Sequence, residues 1–162
     1  MSAAADALED GMARTLRLLS FAMGLGIAFL VLISTVFYAR AADVVPAPSA
    51  VKMINMLTVI SMGYALATIV ASEIVWKKTL AGVAAADVNM RTQKAFIIRA
   101  AIREGGALLG GVTFFIACQN GVLRAYPAYW IDLAPAALFW SFIYFHWPSL
   151  ENLKTEIAEI AP

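Results

Sequence analysis

The chain is poor in the residues that build metal, disulfide and haem sites. Its 162 residues include one cysteine, Cys118, and one histidine, His146. A single cysteine excludes an intrachain disulfide. One cysteine and one histidine cannot supply the four ligands of a structural zinc site, and one histidine cannot supply both axial ligands of a b-type haem. We therefore expect no cofactor and no metal. Because no Ser/His/Asp or Cys/His arrangement is evident, the sequence also leans against an enzyme.

Charged residues are scarce as well. They make up 14% of the chain, whereas soluble domains carry about 25%. Apolar residues make up 62%, and the formal net charge is only +1. So small a charge gives no global field that would attract nucleic acid. The composition indicates a membrane protein, whose partners are the lipid bilayer and other membrane subunits or further copies of the chain.

Four apolar stretches are long enough to cross a hydrocarbon core of about 30 Å, at about 1.5 Å per helical residue. We place them at residues 18–39, 53–76, 95–118 and 129–146. Pro135 lies inside the last stretch, where it is expected to kink the helix. The predicted fold is all-α, a single membrane domain over residues 1–162 built as a bundle of four transmembrane helices.

The tail, residues 148–162, has an apolar repeat of its own. Residues spaced three or four apart share one side of a helix, and the apolar ones here are Leu150, Leu153, Ile157 and Ile160. This spacing predicts a short C-terminal amphipathic helix that lies on the membrane or against a partner.

The basic residues predict the orientation, because cytoplasmic loops carry the excess of Lys and Arg. One side of the four stretches has Arg14, Arg17, Lys77, Lys78, Arg91, Lys94, Arg99, Arg103 and Lys154. The other side has only Arg40, Lys52 and Arg124. We therefore expect a multi-pass protein of the cell (inner) membrane with both termini in the cytoplasm.

Small residues at intervals of four predict where helices pack. The second stretch carries Gly63, Ala67 and Ala71, and the third carries Gly106 and Gly110. Such surfaces let two backbones approach closely, which strengthens dispersion contacts in a medium without a hydrophobic drive. We expect the two surfaces to face each other in a tight antiparallel hairpin.

Two groups of charged residues are candidate sites. Glu73, Arg99, Arg103 and Glu104 are expected near the inner membrane surface, where they form a cluster that fixes helix register, a carboxylate site for a cation, or an arginine site for an anionic lipid or ligand. Near the outer surface, Asp132 is expected to pair with Arg124 or to cap the start of the fourth helix.

One segment resembles a known family. Arg99-x-x-x-x-Glu104, with Gly110 six residues after the acid, is similar to the ion-carrying helix of rotary-ATPase proteolipid subunits. The resemblance covers one helix, and it implies that Glu104 binds a proton or a sodium ion. The leading interpretation remains a non-catalytic subunit or accessory protein of a larger membrane complex. The alternatives are an ion-handling protein that uses Glu104 and a lipid binder or membrane enzyme that uses Arg99 and Arg103.

Overall fold

A computed structural model describes residues 3–160 of the chain, and all of its regular elements within that range are helices. Seven α-helices and two 3₁₀ segments follow one another. The α-helices are α1 (Ala3–Asp6), α2 (Asp10–Arg40), α3 (Pro48–Leu80), α4 (Val88–Gln119), α5 (Val122–Ala125), α6 (Ala134–Phe145) and α7 (Leu150–Ile160). The 3₁₀ segments are Ala85–Asp87 and Pro127–Leu133.

Four segments are long and apolar enough to cross a membrane, as the sequence predicts. They are α2, α3, α4 with its preceding 3₁₀ turn, and the combined segment Pro127–Phe145. Each of α2, α3 and α4 extends beyond its predicted span, and α4 has 32 residues. A helix of that length measures about 48 Å, so α4 is longer than a hydrocarbon core is thick.

The fourth segment differs from the prediction of one kinked α-helix. It begins as the 3₁₀ helix Pro127–Leu133 and continues as α6. Pro135 occupies the first turn of α6, where its missing N–H removes no hydrogen bond and its fixed φ suits helix initiation. The proline therefore starts α6 rather than interrupting a longer α-helix.

Helix α4 is the centre of the bundle, since it packs against α3, α2 and the fourth segment. Its close approaches occur at glycines. A Cβ built on Gly106 would lie 3.2 Å from Ala65 Cα on α3, and one on Gly110 would lie 2.7 Å from Pro135 Cγ. These two glycines therefore admit neighbouring helices to distances that a side chain would prevent.

The prediction that the small-residue surface of α3 packs against α4 is wrong. Gly63, Ala67 and Ala71 are exposed on the outward side of α3, and nothing lies within 4 Å of a Cβ built on Gly63. The face that meets α4 instead carries Ser61, Ala65, Thr68 and Ser72, all of which are buried.

Serine and threonine allow the close helix packing on this face that glycine was expected to allow. They do so because their hydroxyls form hydrogen bonds with backbone carbonyls of the same helix. Thr68 Oγ1 donates to the Ala65 carbonyl at 2.7 Å, and Ser72 Oγ donates to the Ile69 carbonyl at 2.9 Å. A folded-back hydroxyl is compact and keeps its hydrogen bond away from lipid. The hairpin of α3 and α4 is therefore built on a polar, small face rather than on an alanine and glycine face.

The amphipathic tail helix packs on its own chain. The apolar side of α7 buries Leu153 and Ile157 in the same cluster as Leu16, Trp76 and Leu80. It contacts α1, α2 and α3 at the end of the bundle where α4 begins. The predicted C-terminal amphipathic helix is therefore confirmed as a helix. Its apolar side packs against the rest of the bundle.

We expect Gly110→Ala to destabilise the bundle, because the new methyl group would meet Pro135 and the Asp132 carbonyl oxygen at 2.7–2.9 Å. Overpacking of this kind costs about 1–3 kcal/mol. The matched control is Gly63→Ala, where the Cβ has open space and the helix propensity improves. Thermal unfolding in mild detergent should show a lower midpoint for Gly110→Ala only; equal midpoints would contradict the packing.

Candidate functional site

The most concentrated polar feature is a group of four charged side chains, called here the Arg99 cluster: Glu73, Arg99, Arg103 and Glu156. Helix α3 supplies Glu73, α4 supplies both arginines one turn apart, and α7 supplies Glu156. The cluster holds two positive and two negative charges, so it is formally neutral. It therefore links three helices without leaving a net charge between them.

Arg99 is the centre of the cluster. Its Nε and Nη2 atoms donate to the Glu73 carboxylate at 2.8–3.0 Å, and its Nη1 atom donates to Glu156 Oε2 at 2.8 Å. Only 3% of its side chain is exposed. A planar guanidinium can make a forked contact with one carboxylate and a further bond to a second carboxylate, a geometry that an ammonium group does not match.

Arg103 also donates to the Glu73 carboxylate. Its Nη2 atom donates to Glu73 Oε1 at 2.6 Å, and its Nε atom donates to Ser72 Oγ at 2.8 Å. Glu73 thus accepts hydrogen bonds from two arginines, and Ser72 both donates to its own helix and accepts from α4. This sharing fixes the register of α3 against α4.

Aromatic rings line the cluster. The Arg99 guanidinium carbon lies 4.9 Å from the centre of the Trp76 ring, and that of Arg103 lies 4.3 Å from the centre of the Phe142 ring. Arg99 also lies 5.2 Å from the Phe142 ring. Cation–π contacts of this kind strengthen when the cation is shielded from water. Phe142 therefore brings α6 into the cluster as a fourth helix.

His146 follows α6 at the margin of this cluster. Its ring centre is 5.0 Å from that of Phe142, and its buried Nδ1 atom has no hydrogen-bond partner in the part of the chain that the structure describes. Burial lowers the pKa of His146. The positive charges of Arg99 and Arg103 lower that pKa further, and the carboxylates of Glu156 and Glu73 partly oppose the effect. The imidazole is consequently neutral at pH 7.

Glu104 lies outside the Arg99 cluster. A residue five positions after Arg99 is rotated by about 140° around an ideal helix, so it points away from α3. Glu104 is partly buried, and no hydrogen bond or ion pair to it occurs among the residues that the structure describes. Of the four predicted cluster members, the structure therefore brings together Glu73, Arg99 and Arg103.

The predicted outer ion pair is wrong. Arg124 donates to the Tyr38 carbonyl from Nε and Nη2 at 3.2 and 3.1 Å, and it lies over the Tyr38 ring. Asp132 is fully buried, and neither of its carboxyl oxygens has a hydrogen-bond partner within residues 3–160. The 3₁₀ helix that starts at Pro127 carries Asp132 into the bundle, whereas Arg124 remains exposed before it.

Sequence reasoning did not select Glu156 and gave Asp132 the wrong surroundings, and each residue had a weak signal. Glu156 lies on the tail helix, whose predicted contact is the membrane or a partner. Asp132 read as a first-turn acid, because an aspartate near a helix start is usually a surface feature. The prolines on either side of Asp132, at 127 and 135, were the available sign that this segment is not a simple helix start.

No protein-family model matches the chain, and no similar curated protein or solved structure was found. The proteolipid resemblance of residues 99–110 therefore stays a prediction. Within residues 3–160, no group of three or more His, Cys, Asp or Glu side chains is arranged to hold a metal ion. The functional argument rests on the geometry of the charged residues.

Arg99→Gln should strongly destabilise the fold, because it removes the partner of two carboxylates at once. Breaking one side of a buried ion pair typically costs about 3–5 kcal/mol. Arg99→Lys should lie between the variant and the wild type, since an ammonium group cannot bridge both acids. Unfolding in detergent measures the effect, with the exposed Arg124→Gln as control; equal losses in Arg99→Gln and Arg124→Gln would refute the central role of Arg99.

A pH dependence follows from His146. Because burial lowers its pKa in the folded chain, this residue favours the fold above the ordinary histidine value of about 6.5 and loses that contribution as the pH falls below it. Thermal midpoints of the wild type should therefore drop between pH 7 and pH 5 more steeply than those of His146→Gln. Parallel curves for the two proteins would show that His146 does not titrate in this environment.

Proposed function

We propose that the chain is a non-catalytic subunit or accessory protein of a larger complex in the cell (inner) membrane, with both termini in the cytoplasm. Its four long apolar segments support a membrane location, and the excess of basic residues at one end of the bundle supports the orientation. The observation that carries the proposal is the unpaired carboxylate of Glu104 on the outward surface of α4.

This surface, called here the outward face of α4, consists of Ala101, Glu104, Gly105, Leu108 and Val112. Each of these residues is exposed or partly exposed. Ala101 and Gly105 are four residues apart, so their small side chains leave room for another helix. The Tyr64 hydroxyl oxygen lies 3.5 Å from a Cβ built on Gly105, which places a second polar group beside this face.

Contact between the Glu104 carboxylate and lipid is energetically unfavourable. It lies 16 positions into α4, about 24 Å from the start of a helix that measures about 48 Å. A charged side chain inside the hydrocarbon region is costly, by at least about 2.5 kcal/mol at its centre, and such residues usually pair with one another or with a partner. The nearest arginines on α4 are already bound to Glu73 and Glu156.

The occupant that fits is a transmembrane helix of another subunit that carries a Lys or Arg opposite Glu104. A basic side chain would neutralise the carboxylate, and the Ala101 and Gly105 positions would allow close approach of that helix. Charge complementarity thus selects this partner over a purely apolar one. A helix without a basic residue would leave Glu104 desolvated and unpaired.

The proposal is tested by purification in mild detergent from the native membrane. A partner of fixed stoichiometry should accompany the wild type and should be reduced at least tenfold by Glu104→Gln and by Gly105→Leu. The matched control is Gly63→Leu, which adds the same side chain to an exposed glycine on the outward side of α3. A photocrosslinking residue at position 101 should capture the same partner, and one at position 67 should not.

Two results would contradict the proposal: a wild-type protein that purifies alone, or a partner equally retained in all three variants. The ion-handling alternative uses the same carboxylate and gives a different result. In that case carbodiimide modifies Glu104 in the purified chain, and sodium suppresses the modification. Both alternatives depend on Glu104, so the partner and the labelling must be measured on the same preparation.

Anionic lipid binding at Arg99 and Arg103 has less support. Every side-chain nitrogen of Arg99 donates to a carboxylate, and two nitrogens of Arg103 donate to Glu73 and Ser72. A phosphate would have to displace a carboxylate from a formally neutral group. The structure thus favours an internal role for the two arginines.

A further inference from the structure

Asp132 is the most deeply buried acid that the charge cluster does not use. The groups that interact with its carboxyl are Thr58 on α3 and Tyr129 on its own segment, and Gly110 of α4 lies against its carbonyl oxygen. Tyr129 is the titratable member of this group, and its hydroxyl donates to Asn55 Oδ1 at 2.6 Å. Within residues 3–160, no lysine or arginine forms an ion pair with this carboxyl.

Asp132 lies inside the candidate membrane-crossing segment Pro127–Phe145. Its carbonyl oxygen meets Gly110, which is nine residues before the end of α4, or about 14 Å by helical rise. Thr58 is ten residues after the start of α3, or about 15 Å. Both neighbours thus lie well inside the segments that are long and apolar enough to cross a membrane.

An ionised carboxylate is unfavourable at this position. Burying an unpaired ion costs far more than burying a hydrogen-bonded neutral group, so a group of this kind becomes neutral. Within residues 3–160, the Thr58 hydroxyl beside it also lacks a hydrogen-bond partner. A hydroxyl can accept a bond from a protonated carboxyl or donate one to a carboxylate, but one neutral donor does not offset the cost of burying a negative charge.

The packing also limits hydration of the carboxyl. Asp132 has 0% of its surface exposed. Its segment is packed closely on α4, since a Cβ built on Gly110 would lie 2.7 Å from Pro135 Cγ and 2.9 Å from the Asp132 carbonyl oxygen. Water therefore reaches the carboxyl only if the fourth segment moves away from α3 and α4.

We propose that Asp132 is a proton-binding site in the core of the bundle. The carboxyl is protonated in the packed state and donates its hydrogen bond to Thr58. Release breaks the carboxyl O–H bond, leaves the electron pair on the oxygen and transfers the proton to water, which must first enter. A divalent cation is a poorer ligand, because Ca²⁺ and Mg²⁺ take about six or more oxygen ligands and this site has three side-chain oxygens without partners.

Infrared spectroscopy of the whole protein in lipid vesicles tests this site directly. At pH 7 an aspartate in water is ionised, so a protonated-carboxyl stretch in the wild type must come from a shielded acid. We expect that band in the wild type and its loss in Asp132→Asn. The matched control is Glu104→Gln, which removes the other acid without an ion-pair partner in the lipid-crossing part of α4 and should leave the band in place.

A second variant keeps the test valid if Asp132→Asn does not fold. Thr58→Val removes the proposed hydrogen-bond acceptor and should shift the frequency of the band without abolishing it. The proposal is overturned if the wild type has no such band, if the band survives Asp132→Asn, or if Thr58→Val leaves its frequency unchanged. Loss of the band in sodium chloride but not in choline chloride would also overturn it, since a metal ion would then replace the proton.

Discussion

The structure depends on one guanidinium group held between two carboxylates. Arg99 is almost completely buried, and it binds Glu73 of α3 and Glu156 of α7 at the same time. Burying one charge without the other two would be costly, so the three helices are stable in this arrangement only together. The aromatic rings of Trp76 and Phe142 exclude water from the group and connect it to α6. The register of the bundle is thereby set at one end.

Away from that group, the helices are held by small and hydroxyl-bearing residues. Hydroxyls of α3 bond to their own backbone, and glycines of α4 admit α3 and the fourth segment to short distances. Such contacts are individually weak, since the driving force between helices in lipid is dispersion and local hydrogen bonding. The Arg99 cluster therefore determines how the helices are arranged, and the apolar contacts add packing to that arrangement.

The sequence predicts the helices better than it predicts their faces. Long apolar runs and an amphipathic repeat suffice for the four long segments and the tail, because both depend on local pattern. Residue size alone did not predict which face of α3 is buried. Its Ser and Thr side chains pack closely because their hydroxyls donate to carbonyls of the same helix, and these hydrogen bonds are not visible in the sequence. The contacts of Glu156 and Asp132 depend on how distant segments meet, which no local pattern contains.

The Glu156 contact also separates two events in time. Residues 73, 99 and 103 are synthesised before residue 156, so the newly made hairpin of α3 and α4 holds one carboxylate against two guanidinium groups. The group becomes formally neutral only when α7 brings Glu156 against Arg99. Docking of the tail helix therefore requires a hairpin that has already formed, and the last helix of the chain closes the arrangement that the earlier helices begin.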